Sequence, residues 1–592
     1  MALSGTLGSV LVNSYLPKEY RQTKPITKST LKKSMLSLAR KDPSMYARII
    51  PEVKKLGDEF ATYEGISVGL DDIAPQYAER DKILKRASQD FWKAKDTKFS
   101  TKILLDAQAR LRDLTLRHPG DMGMMARSGG RGSVNQLMKS TTSPVVVGDY
   151  HGAPHQYLIE RGYSEGLSPA EGWLAGDESR GQLIKGQLST ADPGELGKIM
   201  ATMMSGEVVA SNDCKTKNGI LMSYDDPNIM GRYLAGTSTV IDNRVFQQIK
   251  SKRRAVKVRS PMTCELTKGV CAKCQGRDSY DRVPDIGTNM GIRAAQALAE
   301  PLTQMALSAK HGVSLVSGTS ATPTGVTAVR QFLEVPGSFL AKATLASKTG
   351  KISSVEKAPQ GGYDVYVGES QHYIPPNRGL KVKKGQSVEA GDVLSGGLPA
   401  PNELVAYKGL GAGRRYLVDS FHDVYKDSGI DVDKRHLELM VKSQLSSVRI
   451  VDEIPGFLPG EVVPYNSVMG ALKNQIRNET VKKSMGQYLA KPVLHHIPGT
   501  QITNSMLKDF SIAGIKRLPV VPTMPKIEAV MYPASRTPLL NPNWMQRLGH
   551  RYQKATLLQA AQQGEMAEIH GLDPVPGLVI GKEFRHGPGG TY

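Results

Sequence analysis

The segment RSPMTCELTKGVCAKCQGRD (residues 259–278) decides how the middle of this chain folds, together with a cysteine further upstream. It holds Cys264, Cys271 and Cys274, and Cys214 is the only other cysteine among the 592 residues. Scattered core cysteines would have no reason to gather in one short part of the chain. Four thiolates in a set that ends in CxxC match the closed tetrahedral coordination of a structural Zn²⁺. We therefore predict a zinc site, in which Cys214 ties a distant segment to the others.

A pair of disulfides is the alternative interpretation of the four cysteines. The first residues, MALSGTLGSVLVNSYLPKEY, lack the charged start and long apolar stretch of a secretory signal, so we expect an intracellular, reducing environment. The sequence contains no apolar run of about 18 residues, and we expect no membrane span. The expected environment favours zinc, and disulfides stay as the alternative.

The charge of the chain predicts a polyanionic partner. There are 77 Lys and Arg residues against 56 Asp and Glu residues, a formal net charge of +21. Such a field favours nucleic acid, although a basic protein that docks on acidic partner subunits would look the same. Six basic residues crowd the segment before the second cysteine, where a solvated loop is the alternative: Lys250, Lys252, Arg253, Arg254, Lys257 and Arg259.

Hydrophobic periodicity predicts helices in the first half of the chain. Residues 1–117 are mostly helical in pattern, whereas 119–163 are rich in glycine and lack periodicity. A long helix is expected from Ser168 to about Glu207. The run Asp192-Pro193-Gly194-Glu195 has the composition of a helix start, so we predict two helices that meet at a kink near 191–193. A second helix, residues 290–312, is expected to break at Glu300-Pro301.

The second half of the chain alternates between strand and helix signals. Residues 335–400 show strand-like alternation, and KVKKGQSVEAGDVL (381–394) is typical of small barrel-sandwich modules that turn on glycine. Helical periodicity returns in 401–450 and again in 551–569. A chain of this length should form several domains, and the fold class predicted is α+β multidomain.

Several motifs in one order resemble the catalytic large subunit, β′, of bacterial multisubunit RNA polymerases. The cysteine segment is followed by GIRAAQALAEPLTQMALSAKH (291–311), which is similar to the start of the trigger loop of that family. The segment 164–200 resembles the bridge helix, and RSGGRGSVNQ (127–136) resembles the loop that enters it. Three more segments resemble other parts of β′: residues 56–73, 382–445 and 544–581.

The resemblance implies the C-terminal half of a β′ subunit and a division into seven regions. These are a helical secondary-channel rim or funnel region (1–117), an entry loop with the bridge helix (118–207), a four-cysteine zinc-binding module (208–285), trigger-loop helices (286–328), a small barrel-sandwich-like β module (329–400), a helical or mixed region behind the jaw (401–500) and a C-terminal clamp-anchoring region (501–592).

The resemblance also implies roles for four residues in ribonucleotide addition. Arg131 matches an arginine that faces the phosphates of the incoming nucleotide, where an ordinary loop salt bridge is the alternative. Gln304 matches the residue near the ribose, and Leu307 matches the position that packs on the base. His311 matches a histidine near the β-phosphate that acts as a positional catalyst or a general acid.

Two positions of the trigger loop depart from the bacterial pattern. Ser308 stands where bacteria have a phosphate-contacting arginine, and Lys310 stands where they have phenylalanine. We hypothesise that Lys310 replaces the lost cation, in which case Lys310→Ala slows nucleotide addition much more than Ser308→Ala does.

On the bridge helix, the resemblance implies contacts with the DNA template. Thr190 and Ala191 match the pair under the templating base, and Arg180 and Lys198 would lie near the template backbone. For Thr190, a solvent-facing helix position without a role is the alternative. The zinc would tie the end of the bridge region to the hairpin before the trigger helix and would not touch substrate.

The magnesium-binding NADFDGD motif of the family does not occur in this sequence. The resemblance therefore implies a split subunit, with Mg²⁺ held by an N-terminal β′-like partner chain. β-like chains, a promoter-specificity factor, template DNA, RNA product and nucleoside triphosphates would complete the assembly, without a membrane. The sequence lacks the very long insertion of plastid and cyanobacterial versions, which favours a giant bacteriophage. Its enzyme would work in the cytoplasm of a bacterial host and could also be packaged in the virion.

Two other functions fit parts of the sequence. A non-catalytic, zinc-stabilised DNA-binding or assembly protein on the same scaffold agrees with the changes at Ser308 and Lys310. It disagrees with Gln304, Leu307 and His311, which stand in register. A biotinyl or lipoyl carrier would need a lysine presented at a hairpin tip in an MKM or DKA motif, and neither motif occurs.

Overall fold

A computed structural model describes residues 6–65, 67–75, 77–94, 97–149, 154–278, 281–308, 323–465, 467–468, 476–541, 543–567 and 574–581. The described residues form two compact units, one up to Lys185 and one from Gly186 onward. Both helices and sheets are present, in agreement with the α+β class expected.

The first unit is helical. Its helices are α1 (Leu7–Tyr15), α2 (Lys28–Lys41), α3 (Pro43–Tyr63), α4 (Tyr77–Lys93), α5 (Thr97–Thr115), α6 (Gly120–Ser128), α7 (Val134–Thr141) and the first part of α8 (Pro169–Met204), with 3₁₀ turns at Lys18–Tyr20, Asp71–Ile73 and Tyr163–Glu165. The helical content expected for 1–117 is confirmed. α6 and α7 lie in the glycine-rich stretch that showed no periodicity; Ser133 caps α7 with a reciprocal bond to Gln136, a short signal that periodicity does not register.

The predicted division of the long helix into two helices is wrong, and a bend of its axis near 191–193 stays a prediction. α8 is assigned as helix throughout Pro169–Met204, with Pro193 inside it. Residues after the proline pack into the core of the second unit, where Leu196 and Met200 are buried. Arg330 also pairs with Asp192 at 3.0 Å and with Glu195 at 3.1 Å. Because these contacts hold the backbone on both sides of Pro193, the missing hydrogen bond of the proline does not end the helix.

The cysteine-rich region begins the second unit. It contains β1 (Val209–Ser211), β2 (Ile220–Met222), α9 (Asn243–Lys252), β3 (Val256–Val258), β4 (Val270–Cys271) and α10 (Ala272–Gln275), with 3₁₀ turns at Pro227–Ile229 and Pro261–Thr263. β1 pairs with β4 in parallel, and β2 pairs with β3 antiparallel. The parallel pairing brings the segment before Cys214 beside Cys271.

Helix α11 (Met290–Ser308) is also continuous, so the break predicted at Pro301 is wrong. Leu298, Leu302 and Met305 lie on one face of α11 and are all buried in the main core of the unit. Packing of this face compensates for the helix cost of a proline, about 3 kcal/mol.

A four-stranded sheet follows α12 (Gly325–Glu334). Its strands are β5 (Gly350–Lys357), β6 (Tyr363–Val367), β7 (Ser370–Ile374) and β8 (Ser387–Val388), in the order β7-β6-β5-β8 and antiparallel throughout. Its apolar side chains form a separate core that includes Ile352, Val365 and Leu394. The strand-like alternation of 335–400 is confirmed.

The last part of the second unit begins with two helices, α13 (Pro401–Asp427) and α14 (Lys434–Gln444). Gly409 interrupts α13 with φ 79°, a conformation that glycine adopts without strain. The remaining elements are β9 (Ser447–Ile450), β10 (Val462–Pro464), β11 (Arg477–Thr480), β12 (Tyr488–Leu489), α15 (Asn504–Ile512), β13 (Arg517–Val521), β14 (Ile527–Ala529), a 3₁₀ turn at Thr537–Leu540, α16 (Trp544–Leu548), α17 (Gln553–Gln563) and α18 (Pro574–Val579).

These last strands form two small sheets, with the orders β10-β9-β14 and β11-β13-β12. The helices expected in 401–450 and 551–569 are present. Within the described ranges, no helix combines the length and the apolar character that a membrane crossing requires.

Candidate functional site

The four cysteines come together in the second unit. Their sulfur atoms all lie within 4.8 Å of one another. Cys271 ends β4 and precedes α10, which carries Cys274, while Cys264 follows the 3₁₀ turn at Pro261–Thr263. Cys214 reaches the group because β1 pairs with β4 through Val209–Val270 and Ser211–Cys271. The predicted convergence of the four thiols is confirmed.

The geometry of the cysteine cluster fits a tetrahedral metal site. Sγ of Cys214 lies 3.7 Å from Sγ of Cys274. Zinc–sulfur bonds of about 2.3 Å in a tetrahedron place two sulfurs about 3.8 Å apart, whereas a disulfide requires about 2.05 Å. The backbone N–H groups of Cys271 and Cys274 donate to the sulfurs of Cys264 and Cys271 at 3.4 and 3.3 Å. These bonds stabilise thiolates in the orientation that a metal requires.

Arg259 is the residue of this site that sequence reasoning placed wrongly. It belongs to the basic run before Cys264, yet it is only 2% exposed. Its Nη2 lies 3.1, 3.4 and 3.3 Å from the sulfurs of Cys214, Cys271 and Cys274. A tetrathiolate zinc centre has a net charge of −2, and a buried guanidinium beside three of its sulfurs offsets part of that charge.

Two further charges complete the surroundings of the sulfurs. Asp213 accepts hydrogen bonds from Nη1 of Arg259 at 2.7 Å and from Nζ of Lys273 at 2.9 Å. Burial raises the pKa of Asp213, but these two cations outweigh burial and lower it to about 2. Burial opposes the charge of Arg259, while the neighbouring thiolate of Cys274 and the carboxylate of Asp213 raise its pKa above the ordinary value.

Four of the other five basic residues of the run lie at the surface. Lys250 and Lys252 end α9, Arg253 and Arg254 follow it, and all four are exposed. The run therefore divides into four exposed cations available to a polyanion, the half-buried Lys257 on β3 and the buried Arg259. The sequence around Arg259 contains no signal that this arginine would be buried.

Helix α14 fastens the cysteine region to the core of the unit. Arg232 donates to both carboxylate oxygens of Glu438 at 2.8 and 2.6 Å, and both side chains are fully buried. Ser260, directly after Arg259, donates to the same carboxylate at 2.6 Å. Lys442 reaches Glu207 and the carbonyl of Gly269, each at 2.7 Å.

Helices α8 and α11 cross closely beside the cysteine region. A Cβ on Gly197 would lie 3.1 Å from Cβ of Ala299, and one on Gly291 would lie 1.8 Å from the carbonyl oxygen of Met204. Residue numbers rise along one helix as they fall along the other, so the two helices run antiparallel. Only glycine allows the second approach, because a side chain there would overlap the backbone.

The predicted template and nucleotide residues lie on exposed positions where the structure describes them. Ala191 and Lys198 are seven residues apart on one face of α8, and both are exposed. Arg180, in the first unit, is exposed with its guanidinium 5.4 Å from the ring centre of Trp173. Gln304 is exposed on α11. Thr190 and Leu307 are helical, and nothing is described of their side chains.

Arg131 lies in the loop between α6 and α7 and is exposed. Within the described part of the chain, no carboxylate lies within ion-pair distance of it, so the salt-bridge alternative finds no partner there. His311 and Lys310 lie outside the described residues, as do residues 312–322. The structure therefore leaves their roles as predictions.

Comparison with known proteins matches the same segments. Residues 166–365 match the family described as RNA polymerase Rpb1, domain 5. This range holds most of α8, the cysteine cluster, α11 and the start of the four-stranded sheet.

Curated relatives extend the similarity to most of the chain. A protein of Moorella thermoacetica named DNA-directed RNA polymerase subunit beta' is 28% identical over 520 residues, which cover 80% of this chain and 44% of the relative. Proteins of the same name are 28% identical in Pelotomaculum thermopropionicum and 29% in Desulforudis audaxviator, and they cover 87% and 78% of this chain. The chain spans about half the length of the relatives it matches. Over most of its residues, the chain is thus similar to β′ subunits.

Proposed function

We propose that this chain is a subunit of a DNA-directed RNA polymerase and supplies the bridge helix and the trigger loop for template-directed ribonucleotide addition. The observation that carries the proposal is the antiparallel crossing of α8 and α11 beside the cysteine cluster. In this arrangement, one helix leads to template-facing positions and the other leads to His311. The similarity to proteins named DNA-directed RNA polymerase subunit beta' supports it.

In the proposed enzyme, α8 faces the template. Ala191 offers a small, exposed surface beside which a base pair can move, together with Thr190. Lys198 lies on the same face of α8, and Arg180 lies earlier in the same helix. Both contact DNA phosphates independently of the base sequence. The exposed Lys250 and Lys252 at the end of α9, and Arg253 and Arg254 after it, add to the positive field around nucleic acid.

Nucleotide addition requires positioning and charge stabilisation more than covalent chemistry. Arg131, exposed and without a carboxylate partner in the described part of the chain, binds the phosphates of the incoming nucleotide. Gln304 contacts the ribose and Leu307 packs on the base. His311 approaches the β-phosphate when the loop closes, where it stabilises charge or gives a proton to the leaving pyrophosphate.

The cysteine cluster holds one structural zinc in the proposed enzyme. A bound Zn²⁺ supplies cross-linking and no chemistry, because all four ligand positions are thiolates. Cys214 connects the end of the α8 region to Cys264, Cys271 and Cys274, which precede α11. Arg259 offsets the charge of the centre, and α14 holds the region in place.

The Mg²⁺-binding aspartates lie outside this sequence in the proposal, on an N-terminal β′-like partner chain. β-like chains and a promoter-specificity factor complete the enzyme, which acts on DNA, RNA and nucleoside triphosphates. A split subunit encoded by a giant phage, its activity in the cytoplasm of a bacterial host and its packaging in the virion stay predictions from the sequence. The seven regions predicted along the chain also stay predictions.

The test is purification of the tagged chain with its partners, followed by RNA extension on a primed DNA template. His311→Ala is compared with wild type and with Lys482→Ala, a control that removes an exposed lysine in a distant part of the sequence. We expect co-purification of a chain with the magnesium motif and elongation slowed at least about tenfold by His311→Ala alone. Unchanged elongation would contradict the trigger-loop assignment.

A non-catalytic DNA-binding or assembly protein is the second candidate, because Ser308 and Lys310 depart from the bacterial pattern. It predicts a chain that binds duplex DNA but purifies without any partner that carries the magnesium motif. Within an active complex, Lys310→Ala and Ser308→Ala test whether Lys310 replaces the lost arginine. Equal effects on elongation would exclude replacement of the lost arginine by Lys310.

A further inference from the structure

A second cluster of metal-ligand side chains lies in the same unit and shares no residue with the cysteine cluster. His495, His496 and Asp509 each offer one ligand atom, and these atoms all lie within 4.8 Å of one another. The two imidazole rings are neighbours, with centres 4.0 Å apart. Nε2 of His496 lies 3.9 Å from Oδ2 of Asp509.

The burial of His496 is unusual for a histidine without a ligand. The residue is only 4% exposed, and neither ring nitrogen has a hydrogen-bond partner among the described residues. Phe510 packs edge-on against the ring, with centres 5.6 Å apart. An imidazole that gives up its water without gaining a partner costs free energy. A metal ion bound by one of these nitrogens would remove the cost at that nitrogen.

The backbone that carries the two histidines is held from two sides. Residues 493–496 form a tight turn in which Val493 and His496 exchange backbone hydrogen bonds, both 3.1 Å. Asn218 bonds both backbone groups of Leu494, at 2.8 and 3.0 Å. Helix α13 comes so close that a Cβ on Gly411 would lie 2.4 Å from the carbonyl oxygen of His495. The backbone that carries both imidazoles is therefore held in place before a metal binds.

We propose that His495, His496 and Asp509 form a second metal site, which binds a divalent transition-metal ion such as Zn²⁺ through two imidazole nitrogens and one carboxylate oxygen. Zinc–nitrogen and zinc–oxygen bonds of about 2.0–2.2 Å place such ligand atoms about 3.3–3.5 Å apart. The separation of 3.9 Å between His496 and Asp509 needs to shorten by only a few tenths of an ångström. Three protein ligands leave a fourth position for water.

A cation beside the site opposes metal binding. Nη1 of Arg415 lies 3.5 Å from Oδ2 of Asp509. This cation competes with a metal ion for the carboxylate of Asp509 and also repels the metal ion.

The purified 592-residue chain is dialysed against metal-free buffer. The zinc that it retains is then measured by elemental mass spectrometry. Wild type is compared with Asp509→Asn, His496→Gln and His422→Gln. The last is a matched control, because Nδ1 of His422 also lies 3.9 Å from a carboxylate oxygen, that of Asp423, and belongs to neither cluster.

Wild type and His422→Gln are expected to retain two zinc ions, and each ligand variant one. The affinity of the lost site should fall at least about tenfold. Substitution with Co²⁺ tells the sites apart, since only thiolate ligands produce intense charge-transfer absorption. That absorption should be unchanged in Asp509→Asn and His496→Gln, which excludes general unfolding as the cause.

Arg415→Gln should have the opposite effect on zinc affinity at the second site, an increase. Its cation is half exposed and lies on α13, so we expect the variant to fold and to bind the second zinc several-fold more tightly. A gain of affinity cannot come from damage to the fold. A single zinc in wild type, retention of two ions by both ligand variants, or weaker binding by Arg415→Gln would each overturn the proposal.

Discussion

The two clusters of metal-ligand side chains in the second unit differ in how the chain builds them. Three of the four cysteines lie within eleven residues, Cys264–Cys274, and adjacent turns orient them. The histidine cluster joins a turn at 495–496 to one carboxylate on α15, and contacts from distant segments position it. Local spacing identifies the first cluster in the sequence, and only packing creates the second.

The clusters also differ in the charge beside them. Arg259 contacts three sulfurs and offsets the negative charge of four thiolates. Arg415 stands beside only one carboxylate and two neutral imidazoles, where its charge opposes a metal ion. The same residue type thus strengthens one site and weakens the other, because the ligands carry different net charges. Zinc should leave the histidine cluster first under a weak chelator.

The largest expected effect is the loss of a cysteine ligand. Cys271→Ser removes a fully buried sulfur from the cluster, and binding of zinc to such sites contributes about 10–16 kcal/mol in small metal-dependent domains. We expect loss of the thiolate charge-transfer band of Co²⁺ and a large fall in the thermal unfolding temperature. Treatment of wild type with a strong chelator should reproduce the fall. If a reductant reproduces it and a chelator does not, the cysteines form disulfides.

The buried ion pair behind the cysteine region comes next. Glu438→Gln leaves the guanidinium of Arg232 buried without its charge partner, at a cost of about 3–5 kcal/mol in the free energy of unfolding. Urea unfolding measures the cost, and zinc retention should fall at the cysteine cluster only. The exposed pair Lys54–Asp58 is the control, and Lys54→Ala should cost no more than about 0.5 kcal/mol. Equal costs for the two substitutions would show that α14 does not anchor this region.

The third prediction acts on the histidine cluster through its backbone. A Cβ added by Gly411→Ala would lie 2.9 Å from Cα of His496, so the turn must move, at a cost of about 1–3 kcal/mol. Zinc retained at the second site should fall while the thiolate band of Co²⁺ stays. Gly194→Ala on α8 meets nothing within 4 Å and should stabilise by about 0.5–1 kcal/mol. If Gly411→Ala binds zinc at the second site with the affinity of wild type, the position of this turn does not control metal binding.

The smallest expected effect is a pH dependence at the edge of the cysteine region. Burial raises the pKa of Asp226, but the N–H of Asn228 and the ammonium of Lys434, 3.0 Å away, outweigh it and lower the pKa. The ionised form therefore stabilises the fold above the unfolded-state pKa of about 3.9, and this contribution is lost as pH falls through the lower folded-state pKa.

Asp226→Asn should accordingly cost about 1 kcal/mol near neutral pH and almost nothing in strong acid. Urea unfolding at a series of pH values measures the difference. Asp225→Asn, at the exposed neighbour, should leave the profile unchanged. A cost that does not depend on pH would assign the effect of Asp226→Asn to lost packing.

Local patterns failed where packing overrides local cost. Pro193 and Pro301 both predicted broken helices, yet α8 and α11 are continuous because buried faces and the ion pairs of Arg330 hold them. Periodicity missed α6 and α7, whose glycine-rich sequence hides two short helices. The strands β9 to β14 were also not predicted, since most have two to four residues and take their order from partners far along the chain.

The sequence by itself determined that the four cysteines form one set, that the chain starts with helices, that residues 335–400 are strand-like and that the chain resembles β′, because composition, spacing and periodicity carry these signals. Tertiary structure alone decided that Arg259 is buried among sulfurs while four of the other five basic residues of its run are exposed. It also decided that Gly291 meets the end of α8, and that two histidines face Asp509. The physical reason is the same in each case: burial and long-range contact set the energy of these groups, and neither quantity is a property of neighbouring residues.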